Sequence, residues 1–162
     1  MSTAVMPVAS QFRSELGDFT SIICFKAIIT GVEEALGEKA AAIALIAAGR
    51  NRGKQVADQI GCTGQGISDT VTSLLQKVLG KEGTRLCIID KIVEADGVIK
   101  VYARETICSA GEPQGSPRKL SYTLGVLQGV LEQVTGKHLR GKQTESVLQG
   151  SAYDVVEFTI LR

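Results

Sequence analysis

From Phe19 onward, apolar residues fall at Phe19, Ile22, Ile23, Ala27, Ile29 and Val32. This helical spacing predicts a first helix ending near Leu36, where Gly37 can supply a left-handed cap. Residues 38–60 read as a long second helix, alanine-rich at first and amphipathic later, closed by Gly61. A glycine-rich loop covers 62–67. Ser68 or Asp69 then caps a third helix through Val71, Leu74, Leu75, Val78 and Leu79, which Gly80 stops. Residues 1–17 carry no clear period and are read as an arm ahead of a single domain over 18–162.

After Gly80 the period changes from helical to alternating. Residues 85–94 and 98–108 are rich in Ile and Val, with Asp96-Gly97 between them, a strong hairpin signal. A two-residue turn there places Leu86, Ile88, Ile92, Ile99, Val101, Ala103 and Ile107 on one face. It also leaves Cys87 and Cys108 diagonal to each other, about 7–8 Å apart and too far for a disulfide. Residues 111–117 hold two glycines and two prolines and read as a surface loop. A fourth helix over 118–136 carries the buried stripe Leu120, Leu124, Leu127, Val130, Leu131 and Val134, and a second hairpin over 137–148 and 153–161 closes the chain. The expected class is α+β: a four-stranded antiparallel sheet of two hairpins with about four helices packed against it.

Composition narrows the function classes. The 162 residues carry 18 Lys and Arg against 17 Asp and Glu. That balance gives no electrostatic footprint for nucleic acid or an anionic membrane. The longest uncharged apolar run, 40–49, is about half the roughly 20 residues a membrane span requires. No basic residue precedes the apolar positions of 1–10, so no secretion signal is read there and a soluble, cytoplasmic protein is expected. The four cysteines lack paired spacing and have no histidine nearby, so no metal site is expected. Cys24, Cys62, Cys87 and Cys108 read as small buried apolar residues or idle thiols in a reducing compartment.

The last third of the chain holds Gly125-Val126-Leu127-Gln128-Gly129 running into Leu131-Glu132-Gln133-Val134-Thr135-Gly136-Lys137, a strand opening with Thr144-Glu145, and a last strand with Glu157-Phe158-Thr159-Ile160. In these segments it resembles the 4-vinyl-reductase-type small-molecule-binding domain. Upstream, Ala48-Gly49-Arg50-Asn51-Arg52-Gly53-Lys54 is similar to that family's glycine–arginine segment. The resemblance implies kinship with haem nitric-oxide-binding domains and with trafficking-complex subunits that enclose an acyl chain, and hence helices over an antiparallel sheet with an apolar cavity between them. It implies a non-catalytic domain for a small apolar ligand, hydrocarbon-like, lipid-like or a tetrapyrrole, with pigment-related or photosynthetic assembly as a setting. Many members carry two cysteines in the last hairpin. Matched without gaps, those positions are Leu148 and Val156 here, so a thiol or metal role attached to that pair is absent.

The expected cavity lies between the second helix, the fourth helix and the first hairpin, lined by Ile46, Gly49, Ile88, Val101, Leu124, Gly125 and Leu127, with Arg50 at its mouth. Gly49 and Gly53, like Gly125 and Gly129, are four apart on helices, where each glycine costs about 1 kcal/mol relative to alanine. Two readings explain them: thinning the helices for a ligand, or close helix packing, which is the commoner use. Arg50 and Lys54 share a face and could grip a carboxylate or phosphate, or form a solvated face. The 61–66 loop lacks the ending of a phosphate loop and follows a helix. His138, flanked by Lys137 and Arg140, reads as a surface residue. Asp90 and Glu105 interrupt the core face of the first hairpin; a β-bulge or an edge placement accounts for them without an acid–base pair. No enzyme activity is read. The alternatives are a structural or scaffolding dimer without an exchangeable ligand and, below it, an enzyme acting on a vinyl group. A homodimer is expected from Ile22, Ile23, Ile28 and Ile29, which spread over more than one face of the first helix.

Overall fold

A computed structural model describes residues 12–162; the first eleven residues of the expected arm lie outside the described residues. Four α-helices and four strands follow one another as α1 (Ile22–Leu36), α2 (Glu38–Gln59), α3 (Asp69–Leu79), β1 (Ile88–Ala95), β2 (Val98–Arg104), α4 (Ser121–Thr135), β3 (Leu139–Glu145) and β4 (Asp154–Ile160). The strands make one antiparallel sheet in the order β1-β2-β4-β3. The α+β class and the two hairpins stand as expected.

Local chemistry sets the boundaries. The Ser21 side chain accepts from the Ile23 N–H at the start of α1, and the Ser68 side chain accepts from the Val71 N–H at the start of α3. Asp96 and Gly97 take φ of 53° and 74°, the left-handed pair that a tight hairpin turn requires. The resulting register pairs Ala95 with Val98 and Ile92 with Val101. It then shifts at a bulge between Ile89 and Lys91. Two residues oppose one there, so the alternation reverses: Ile89 turns inward and is buried, while Ile88 is left half-buried. The expectation that Ile88 shares the core face is thereby corrected. The Gln76 amide donates to the Ile89 and Asp90 carbonyls freed at the bulge, and Asp90 faces outward, paired with Arg104 at 2.6 and 3.0 Å.

The two middle strands are the most deeply covered. Ile99, Val101 and Ala103 of β2 and Val156 and Phe158 of β4 lie against the helices. α4 is central. Its expected stripe is buried, and so are Thr123, Gly125, Val126, Gly129 and Glu132 on its other sides. A helix covered all round must be packed by more than one layer; α2 covers one side of it and the sheet another. The glycine-rich loop after α2 is consumed in holding this helix, because Gly64 and Gly66 donate their N–H groups to the carbonyls of Gln133 and Val134.

β2 ends at Arg104, short of the expected Cys108. Glu105 takes a φ of 48°, and the chain turns inward at Thr106 toward a buried carboxylate. Asp154 accepts from the Thr106 hydroxyl at 2.7 Å, the Ser109 hydroxyl at 2.9 Å and the Val147 N–H at 3.0 Å. This set pins the segments before α4 and before β4 to one strand. All four cysteines are free. Burial, with Cys108 and Asp154 nearby, pushes the Cys87 thiol up to about 12, which keeps it protonated and inert.

Replacing Asp154 with alanine should strand two hydroxyls and an amide in a fully buried site. The expected loss is about 3 kcal/mol of unfolding free energy, measured by chemical denaturation.

Candidate functional site

The glycines of α2 and α4 face each other. A Cβ on Gly49 would stand 2.9 Å from the Val126 backbone nitrogen, and one on Gly53 would stand 2.8 Å from that of Val130. From the other side, a Cβ on Gly125 would meet the Ile46 Cα at 2.9 Å, and one on Gly129 the Arg50 carbonyl carbon at 2.8 Å. Real Cβ atoms do not come so near backbone, so any larger residue forces the helices apart. Here the two helices touch backbone to backbone. Of the two readings of these glycines, close packing is the one realised: Gly49 and Gly125, both expected to line the cavity, lie in the helix contact and outside the groove lining.

Beside this crossing runs an open groove of about 400 Å³. Ile46 and Arg50 of α2, Leu124, Gln128 and Glu132 of α4, His138, Leu139, Arg140 and Gly141 at the start of β3, and Leu161 line it. Gly141 matters locally, since a Cβ there would press on the Phe158 ring at 2.7 Å and on Leu124 at 3.0 Å. Its absence lets β3 close against α4 and form the groove wall. His138 is exposed at the rim, as its polar flanks implied.

The polar centre of the groove is Glu132, which is 5% exposed. Arg50 grips it with two bonds, Nε to Oε2 at 2.7 Å and Nη2 to Oε1 at 3.0 Å. The Leu139 N–H donates to it at 3.0 Å, Gln128 at 3.3 Å, and the Lys54 ammonium stands 3.7 Å away. Burial alone would push its carboxyl up, but the bonds from Arg50, Leu139 and Gln128 outweigh burial and hold it below its ordinary value. Arg50 does grip a carboxylate, and the carboxylate belongs to its own chain. The arrangement fixes three elements at one point: α2 through Arg50, α4 through Glu132, and β3 through Leu139.

No family model matches this sequence, and no curated protein matches it. Solved structures do match in shape. The phenol-responsive sensory domain of the transcription activator PoxR, solved with phenol, matches with a TM-score of 0.64 and 15% identity, over 89% of this chain and 77% of that one. A vinyl-4-reductase family protein from Methanocaldococcus jannaschii matches with a TM-score of 0.57 and 16% identity, over 90% and 84%. A trafficking protein particle complex subunit 3 from Naegleria fowleri, covalently bound to palmitic acid, matches with a TM-score of 0.55 and 13% identity, over 87% and 93%. This chain has the fold those three proteins share.

Set on that fold, the expected site residues divide. Ile46, Arg50 and Leu124 come together in the groove. Val101 and Leu127 are almost wholly enclosed among core side chains. Ile88 lies elsewhere, in a second open groove of about 470 Å³ between α3 and β1. Sequence reasoning missed Gln128, Glu132, Leu139, Gly141 and Leu161. One signal was present: Glu132 interrupts an apolar stretch of α4, and a charge placed there demands a partner. Among the described residues, no three His, Cys, Asp or Glu side chains gather as a metal-binding group, and no helix is long and apolar enough to cross a membrane.

Two outcomes follow. Gly125→Ala should lose roughly 3 kcal/mol or more despite its better helix propensity, and Gly125→Leu should fail to give a folded protein, both read by thermal melts. Glu132 has a folded-state pKa below its ordinary 4.5, so its contribution to stability is complete above that value and is lost as pH falls through the lower folded value. Glu132→Gln should therefore be less stable at neutral pH and lose stability less steeply below about pH 5, as denaturant titrations across pH will show.

Proposed function

We propose that this chain is a non-catalytic binding domain for a small, mostly apolar ligand, seated in the groove between α2, α4 and the start of β3. The observation that carries this reading is the mixture of walls: Ile46, Leu124, Leu139 and Leu161 offer apolar surface around a few fixed polar groups, the usual make-up of a ligand site. Its volume of about 400 Å³ is near the lower end of the range for such sites, 300–1,000 Å³ or so. That favours a hydrocarbon-like or single-ring guest over a tetrapyrrole. The fold adds weight, since the matching sensory domain was solved with phenol and the matching trafficking subunit with palmitic acid.

The groove's electrostatics favour holding over reacting. Glu132 is buried, fully bonded and kept ionised, so it is a poor proton donor at neutral pH. This ranks a reaction on a vinyl group last. A scaffolding dimer without an exchangeable ligand ranks second, favoured by the filled interior around Ile99, Val101 and Leu127.

Nile red, a neutral apolar dye, tests the reading by fluorescence titration. Leu161 is half exposed at the groove rim, so Leu161→Trp should fill the groove without disturbing the core. Affinity should fall about tenfold or more, a change of ~1.4 kcal/mol, with the melting temperature unchanged. Equal affinity in the variant would move the site elsewhere. No dye binding, together with no small molecule released in native mass spectrometry or seen by absorbance from 350 to 700 nm, would favour the scaffold.

A further inference from the structure

The charges around the groove are unequally used. Glu132 is the one acid among its lining residues, and both oxygens of that carboxylate are taken. Oε1 accepts from Arg50 Nη2 at 3.0 Å, the Leu139 N–H at 3.0 Å and Gln128 at 3.3 Å. Oε2 accepts from Arg50 Nε at 2.7 Å, with the Lys54 ammonium 3.7 Å away. A carboxylate offers about four lone-pair sites, so Glu132 has no acceptor left for a group that enters from solvent. A cationic guest finds no free carboxylate here.

The cations are only partly engaged. A guanidinium carries two forks of paired donors, one along Nε and Nη2 and one across the two Nη groups. Glu132 takes the first fork of Arg50. The second is open, since Nη1 donates to no acceptor among the described residues and the Arg50 side chain is 37% exposed. Arg140, exposed at the start of β3, also lines the groove and makes no side-chain hydrogen bond or ion pair among the described residues. With Lys54, three positive side chains stand against one negative.

We propose that the guest of this groove is an amphiphile, an apolar chain or ring ending in one carboxylate. Its body lies on Ile46, Leu124 and Leu161, and its head meets the open fork of Arg50 and the guanidinium of Arg140. This rests on the groove being the binding site and adds the chemistry of the guest's head. Glu132 contributes by holding Arg50 from one side: the guanidinium plane is fixed before the guest arrives, so little side-chain freedom is lost on binding. A fixed planar fork suits a carboxylate better than a single neutral oxygen, and the excess positive charge favours an anion over a cation.

Octanoate, 1-octanol and octylammonium share a body and differ in head; at neutral pH the first is an anion and the last a cation. In displacement of Nile red from the full chain, octanoate should bind about tenfold tighter than octanol, and octylammonium weakest. Acetate, a head without a body, should displace nothing. Raising salt from about 0.05 M to about 0.5 M should shrink the octanoate preference, because the charges are partly exposed. Leu161→Trp should weaken octanoate and octanol alike. Arg50→Lys keeps a charge on Glu132 and removes the open fork, so the octanoate-to-octanol ratio should fall close to unity. Should loss of the fork unfold that variant, Arg140→Gln decides, since its side chain holds nothing within the chain; there the ratio should fall about threefold or more. Octanoate that binds no better than octanol would overturn the proposal and leave the groove as the site. A preference unaltered in every variant that folds, or octanoate binding untouched by Leu161→Trp, would overturn it too. If neither the dye nor any of the three octyl compounds binds, the groove reading falls and this proposal with it.

Discussion

The contact on which the rest of the structure depends is the crossing of α2 and α4, where four glycines let two backbones meet. A close crossing gains dispersion and weak Cα–H···O contacts along its length but has no room for a side chain at its centre. It draws α2 down onto α4, which fills the interior above β2 and β4. It also brings Arg50 within reach of Glu132, a pair 82 residues apart in sequence. The groove runs beside this crossing, where Leu124 and Gly141 set its wall.

A buried carboxylate is costly unless it is paired and fully bonded. Glu132 meets that condition with partners from α2, α4 and β3, so the pair works as a register pin rather than as a source of large net stability. Asp154 plays the same part at the other end of the sheet with neutral donors. Between these two points the strands and α4 have little freedom to slide. That rigidity suits the proposed site, whose polar groups must stay in place while an apolar guest comes and goes.

Much of this was legible from residue patterns. Ser68 or Asp69 before an apolar run marked the start of α3, where Ser68 is the cap, and Asp96-Gly97 marked the turn of the first hairpin. A bulge at Asp90 was one of two readings of a charge on a core face, beside an edge placement, and its consequence, the exchange of Ile89 for Ile88, depends on which side of the misfit the extra residue falls. The glycine spacing was visible, yet a thinned helix beside a ligand and a helix pressed on another helix share that spacing; only the facing backbone decides between them. Arg50 was noticed as a gripping residue. Its partner was out of sight because nothing local in sequence links two helices separated by a hairpin and a loop.

The account turns on a surface groove in place of an interior cavity, and methyl resonances separate the two directly. With the Ile, Leu and Val methyl groups labelled, adding hexanol as an apolar probe should shift the signals of Ile46, Leu124, Leu139 and Leu161 in a saturable manner, and leave those of Ile99, Val101 and Leu127 in place. Saturable shifts at Ile99, Val101 and Leu127, with the groove residues unmoved, would show that the helices part to admit a guest between themselves and the sheet, and would contradict the account.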